Sequence, residues 1–199
     1  KFGVDIVCYS ATKFLNGHSD VIAGAIMGSK EKVSKVKNLR TFLGSMIAPY
    51  TAWLLTRSLE TLHVRMDYQL KNTKKIVDFL LKHKKIQNIY FPGLKSMGKK
   101  QLKIYKSQCL AGGAMIGFEV KGDEKSAFKV LNSLKLIKLA VSLGSNESLA
   151  QHPYSMTHCD VPDDIKKKIG ISQGLIRLSV GIENANDIID DLSQALKKI

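Results

Sequence analysis

Lys13 is the first residue around which chemistry can be built. It follows a short apolar run, Val4, Ile6, Val7 and Cys8, whose length suits a buried strand. Ser10, Ala11 and Thr12 lead into it, and Asn16-Gly17 supplies turn chemistry directly after. A lysine at the end of a buried strand is partly desolvated, which favours the neutral, nucleophilic amine. Hydroxyls at Ser10 and Thr12 can donate hydrogen bonds to a phosphate held beside that amine. Such a set suits a phosphate-bearing aldehyde that forms a Schiff base with lysine, and pyridoxal 5'-phosphate (PLP) is that aldehyde. The plainer alternative is a solvated surface lysine just past a strand, which the pattern S-x-T-K alone does not exclude.

Arg177 is the second such residue. Residues 175–180 alternate, with Ile176, Leu178 and Val180 on one face and Arg177 and Ser179 on the other. If a cleft covers that second face, the planar guanidinium matches a carboxylate through two parallel hydrogen bonds. The alternative is an ordinary arginine on the exposed face of a sheet. His18, His152 and His158 read as hydrogen-bonded scaffold residues of loops. Arg57 and Arg65 read as ion-pairing residues of a helix, and Trp53 as core.

Four separated stretches carry a family resemblance: SATKFLNGHSDVIAGAIMG, APYTAWLLTRSLETLHVRM, LAVSLGSNESLAQHPYSMTH and SQGLIRLSVGIEN. In this order they resemble the Cys/Met-metabolism PLP enzymes, which include cystathionine synthases and lyases, methionine γ-lyase and O-acetylhomoserine sulfhydrylases. The resemblance implies an α/β, fold-type-I (aspartate-aminotransferase-like) transferase in which Lys13 holds the cofactor and Ser10 and Thr12 contact its phosphate. It also implies that Arg177 clamps the substrate α-carboxylate and that Ser142 contacts that carboxylate or the lysine. Val141 stands where cystathionine γ-lyases and γ-synthases often carry glutamate. An apolar residue there resembles methionine γ-lyase, whose substrate ends in an uncharged thioether. Two departures stand beside this, and the first weighs against methionine. Arg40-Thr41 replaces the Lys-Asp pair typical of methionine γ-lyases, and Tyr154 replaces an alanine, where it is expected to narrow the entrance. The implied activity is a C–S lyase of methionine γ-lyase type, with cystathionine γ-lyase or γ-synthase as the alternative within the family. A non-catalytic remnant or partner subunit is the alternative from another class.

The elements that must position these residues follow from periodicity. Residues 21–27 read as a strand and residues 29–39 as a short surface helix. Residues 50–83 contain neither Gly nor Pro and carry one apolar stripe, Leu55, Leu59, Leu62, Met66, Leu70, Val77 and Leu81, of a single long helix. Strands are expected over 114–120 and 136–143, and helices over 100–109, 123–134 and 184–199. Phe128, Leu131 and Leu134 are expected to face inward, as are Ile188, Leu192 and Leu196. Residues 144–174 show little regular pattern, which marks a functional loop region. The order points to an α+β domain with an antiparallel sheet. By resemblance, residues 1–64 are the C-terminal part of the large parallel-sheet, PLP-binding domain, and residues 65–199 a small C-terminal domain.

Composition narrows the partners. The chain has 199 residues, of which 44% are hydrophobic, and a net charge of +14. Its lysines spread from Lys30 to Lys198 without interleaved aromatics, so no nucleic-acid partner is expected. No apolar run approaches a membrane span, so no membrane partner is expected either. Cys8, Cys109 and Cys159 form neither a CxxC pair nor a metal-ligand spacing, and read as reduced thiols of a cytoplasmic protein. The opening Lys1-Phe2-Gly3 reads as the start of a fragment. By resemblance the missing N-terminal half supplies the carboxylate for the pyridine nitrogen, the stacking aromatic and the glycine-rich phosphate loop. The implied assembly is a homotetramer, and this chain alone is expected to bind PLP weakly.

Overall fold

The structure is a computed structural model that describes residues 3–199; Lys1 and the Phe2 of the fragment-like opening lie outside the described residues. The chain divides into two compact units, one running to His63 and the other Val64–Ile199.

In the first unit, β1 (Ile6–Ser10) pairs antiparallel with β2 (Gly24–Gly28), Ile6 facing Gly28 and Ser10 facing Gly24. Helix α1 (Lys30–Leu43) starts at Ser29, whose side chain accepts from the Lys32 N–H. It ends at Gly44, which takes the left-handed conformation (φ +72°) that terminates a helix without a Cβ clash. Helix α2 (Pro49–Leu59) begins with a proline in its first turn, where the missing N–H costs nothing. The sequence points to a buried β1, yet all five of its residues are exposed, Cys8 among them. A two-stranded ribbon has two open faces and one ladder, so its apolar side chains find little to pack on within this unit. Trp53 is likewise 56% exposed rather than core. It stacks on Tyr50 with centroids 5.9 Å apart and sits 5.8 Å from the Arg57 guanidinium. The buried face of α2 is instead that of Ser58.

The single helix expected over residues 50–83 is two. Helix α3 (Leu62–Lys82) is separated from α2 at Glu60 and Thr61, where the N–H groups reach back three residues, to Arg57 and Ser58. The Thr61 hydroxyl also donates to the Ser58 carbonyl and competes with the helical ladder there. The buried face of α3 differs too. It runs through Arg65, Gln69, Asn72 and Thr73 before Ile76, Val77 and Leu80, and leaves Leu81 exposed.

The second unit is a five-stranded sheet of order β3-β4-β7-β6-β5: β3 (Ile86–Tyr90), β4 (Met115–Val120), β5 (Lys138–Leu139), β6 (Leu149–Gln151) and β7 (Leu175–Ser179). Every pair is antiparallel except β5 with β6. Helices α4 (Gly98–Gln108), α5 (Glu124–Ser133), α6 (Asp163–Lys168) and α7 (Ala185–Leu196) complete it. Ile116, Phe118, Ile176 and Leu178 join Ile76 and Leu80 of α3, Val130 of α5 and Ile188, Leu192 and Leu196 of α7 in one core. On α5 the inward residues are Ala127, Val130 and Leu131, and Phe128 lies near the surface.

The strand expected over residues 136–143 shrinks to Lys138–Leu139 because its approach is held by a side chain. The buried Asp191 carboxylate accepts from the N–H groups of Lys135 (2.8 Å), Leu136 (2.9 Å) and Ile137 (2.9 Å). Burial alone would raise this carboxyl. The Ile137, Lys135 and Leu136 donors and the Gln194 amide outweigh it and hold the group below the usual carboxylate range. With the folded value depressed, its stabilisation is complete above the unfolded value near about 4 and is lost as pH falls through the folded one. Asp191→Asn is expected to cost about 2–3 kcal/mol at pH 7. Urea unfolding should show the gap to the parent protein narrowing below about pH 4.

Candidate active site

Residues 10–17, which hold the sequence-predicted Ser10, Thr12 and Lys13, form the corner that follows β1. Ser10 ends β1, and Ala11–Leu15 make one π-helical turn broken at Lys13 (φ −89°, ψ −125°). The Asn16 N–H returns to the Ala11 carbonyl (3.0 Å) and the Gly17 N–H to the Lys13 carbonyl (2.7 Å), so the backbone of Lys13 is gripped from its far side. Gly17 achieves this at φ +72°. Thr12 ties the turn to the chain before β2. Its N–H donates to the Ala23 carbonyl (3.2 Å), and its hydroxyl accepts from the Ala23 N–H (3.0 Å). Thr12 is thus already engaged with backbone, whereas the exposed Ser10 hydroxyl has no hydrogen-bond partner among the described residues. Lys13 is half-buried.

Beneath the turn lies Asn16, fully buried. Its amide donates to Asp20 (2.9 Å), and its side-chain oxygen accepts from the Ser58 hydroxyl (3.2 Å) of α2. His18 Nδ1 sits 2.6 Å from the Asn16 carbonyl oxygen and 3.3 Å from Ser58. Asn16-Gly17 is legible in the sequence as a turn; its role as a buried anchor is not.

In the second unit Arg177 occupies the middle of β7, on the face away from Ile176 and Leu178, and its neighbour across β4 is Gly117, which has no side chain. The guanidinium Nη2 donates to the backbone carbonyls of Val141 (2.7 Å) and Ser142 (2.8 Å). These three sequence-predicted residues therefore meet. Arg177 is half-buried rather than an open surface residue, and burial lowers its guanidinium from its ordinary value. Among the described residues it has no carboxylate partner, and its buried Nε has no acceptor. The Val141 side chain is exposed.

The segment after Ser142 is pinned at every step. The Gly144 N–H donates to Ser179 (2.9 Å), and the Gln69 amide donates to the Ser145 carbonyl (2.8 Å). Both the N–H and the hydroxyl of Ser148 donate to the Glu183 carboxylate, the hydroxyl at 2.8 Å. The Gly181 N–H returns to the Ser148 hydroxyl (2.9 Å). Asn72 donates to the carbonyls of Gly181 (3.2 Å) and Glu183 (2.7 Å). This is why α3 buries polar side chains. Gln69 and Asn72 escape sequence reading because polar residues on a helix face ordinarily signal solvent, and Glu183 because a carboxylate in a turn ordinarily does the same.

The remaining residues are scaffold in geometry. His152 is buried between the Ser155 hydroxyl (2.7 Å) and the Gln173 carbonyl (2.8 Å). His158 contacts Thr157 (2.9 Å). The Tyr154 ring lies 4.2 Å from the Lys166 ammonium, against α6, and the Tyr154 hydroxyl together with that ammonium, 3.3 Å from Asp163, holds the Asp163 carboxyl low. Arg65 is buried and lowered by burial. No cluster of metal-binding side chains occurs among the described residues, and no described helix is long and apolar enough to cross a membrane.

On this α/β frame the first likeness is one of class. The structure of cystathionine gamma-lyase from Lactobacillus plantarum complexed with L-serine superposes with a TM-score of 0.91 at 39% identity, covering 99% of this chain and 51% of that one. The frame is that of the fold-type-I PLP-dependent enzymes. A model of the Cys/Met metabolism PLP-dependent enzymes matches residues 1–197, and the chain belongs to that family. It is 45% identical over 206 residues to L-methionine gamma-lyase of Fusobacterium nucleatum subsp. polymorphum, covering 100% of this chain and 50% of the relative. It is 44% identical over 197 residues to cystathionine gamma-lyase of Dictyostelium discoideum, covering 98% of this chain and 50% of the relative. The chain spans about half the length of the curated relatives it matches.

Gly181 sets the tolerance of the second cluster. A Cβ there would collide with the Asn146 carbonyl and the Glu183 carboxylate. Gly181→Ala is expected to cost about 3 kcal/mol by overpacking. A thermal unfolding midpoint equal to that of the parent protein would show that the clasp is slack.

Proposed function

We propose that the protein is a PLP-dependent carbon–sulfur lyase of sulfur amino-acid metabolism, of methionine γ-lyase type. The observation that carries the reading is Arg177: a half-buried guanidinium with no carboxylate partner among the described residues, resting on neutral carbonyls. A charged fork held this way is ready to exchange those carbonyls for an anionic acceptor, and amino-acid substrates supply one in the α-carboxylate.

The donor set of the first unit fits the cofactor. The Ser10 hydroxyl is uncommitted among the described residues and suits a phosphate oxygen. Lys13 carries the amine, and Thr12, with its hydroxyl on Ala23, holds the turn in shape. When bound, PLP supplies an aldehyde for amine exchange and a conjugated ring that stabilises negative charge at Cα and Cβ. Arg177 and Ser142 orient the substrate by its carboxylate. The Lys13 amine would take the Cα proton and return protons as the γ-substituent leaves. Overall, methionine and water become methanethiol, ammonia and 2-oxobutanoate.

Val141 supports methionine, since an apolar side chain suits a thioether terminus and cannot pair with the distal amine of cystathionine. Cystathionine γ-lyase or γ-synthase activity is the second reading. It is favoured by Arg40-Thr41 and by relatives named as cystathionine lyases. We take residues 1–64 as the end of the cofactor-binding domain and residues 65–199 as the small domain of a homotetramer. The N-terminal half would supply the remaining cofactor contacts. The apolar side chains that β1, β2 and α2 leave exposed support this, since the rest of a domain would cover them.

Borohydride reduction of the PLP-loaded, full-length protein should fix a pyridoxyl mark on Lys13, and Lys13→Ala should abolish it. Arg177→Ala should raise KM for methionine by about 100-fold or more, the scale of losing a buried charged pair. Comparing 2-oxobutanoate formation from methionine and from cystathionine separates the two readings. No mark and no keto-acid product would return the chain to a non-catalytic subunit.

A further inference from the structure

We propose that Gln151 is a positioning residue for Arg177: its carboxamide oxygen takes the Arg177 Nε–H when the guanidinium leaves the Val141 and Ser142 carbonyls for a substrate carboxylate. The inference rests on the carboxylate-clamp reading of Arg177 given above.

Strand register places the two side by side. β6 and β7 run antiparallel with Gln151 opposite Arg177, so their side chains rise from the same face with Cβ atoms about 5 Å apart. Gln151 is 1% exposed. Its amide nitrogen donates to the Thr157 hydroxyl (3.2 Å), which fixes the carboxamide plane, and Thr157 in turn contacts His158 (2.9 Å). The other end of the carboxamide, Oε1, is buried with no donor among the described residues. The Arg177 Nε, equally buried, has no acceptor.

A buried acceptor and a buried donor on register-paired residues, both unsatisfied, define a bond that this state leaves unmade. The cause is the grip on Nη2: the Val141 and Ser142 carbonyls hold the guanidinium turned toward their loop. A carboxylate is a stronger acceptor than either neutral carbonyl and draws the fork away from them. In the turned position Nε–H reaches Gln151, and the carboxamide, fixed by Thr157, sets the plane in which the fork meets its ligand. Ion pairing is not required of residue 151, only an acceptor oxygen at that reach.

The test uses L-alanine and L-alaninamide, which share the amine and differ in the carboxylate, so it does not depend on which sulfur amino acid is the substrate. Binding to the full-length holoenzyme is followed by the cofactor absorption band. Gln151→Met keeps the length and removes the acceptor. It is expected to weaken alanine binding by about 10-fold while leaving alaninamide unmoved. If Gln151→Met does not fold, Gln151→Asn, which retracts the oxygen by one methylene, should show the same selective loss. Equal loss for both ligands, or none for either, overturns the role of Gln151 while leaving the clamp standing. A parent protein with no preference for alanine over alaninamide overturns the clamp and this proposal together.

Discussion

Glu183 takes two hydrogen bonds from one residue, Ser148, and the loop that runs from Ser142 into β6 depends on that clasp. Ser148 leads into β6, and Glu183 stands just ahead of α7, so the clasp joins the strand that pairs with β7 to the turn that follows β7. Asn72 adds the grip of α3 on the same turn through the carbonyls of Gly181 and Glu183. Each partner satisfies another's buried polar group, so the arrangement is stable only if complete. Gly181 is the geometric condition: only a residue without Cβ lets the turn approach Asn146 this closely.

Both units use neutral carboxamides to hold the turns around Lys13 and Arg177. Asn16 lies under the Lys13 turn, Gln69 and Asn72 under the turns around Arg177, and Gln151 beside it. A carboxamide offers a donor and an acceptor without the desolvation cost of burying a charge. Asp191, the buried carboxylate of the core side, is affordable for a different reason: three consecutive N–H groups converge on it.

What the sequence reveals of this fold follows the strength of its periodicities. β4, β7 and α7 carry clean alternation or helical spacing over five or more residues, and they stand where the pattern puts them. Arg177 is found on the face opposite Ile176 and Leu178 for the same reason. β6 is invisible because three residues, all buried, cannot display a period of two. The break between α2 and α3 is hidden because it needs no Gly or Pro, only a threonine hydroxyl competing for a carbonyl. The polar face of α3 misleads because its burial is decided by loops more than seventy residues away. β1 and Trp53 read as core by composition, and composition does not say which surface will cover them.

The resting place of Arg177 is made of main chain. Both oxygens that hold it belong to peptide groups, at Val141 and Ser142, and not to side chains. Replacing Val141 changes the surface offered to a ligand while the oxygen that holds the arginine stays in place. On the proposed reading of Arg177 and Val141, recognition of the part of a substrate that varies is thereby uncoupled from storage of the group that meets the part that does not. A lineage can explore new side chains at residue 141 without first inventing a new cradle for its cation.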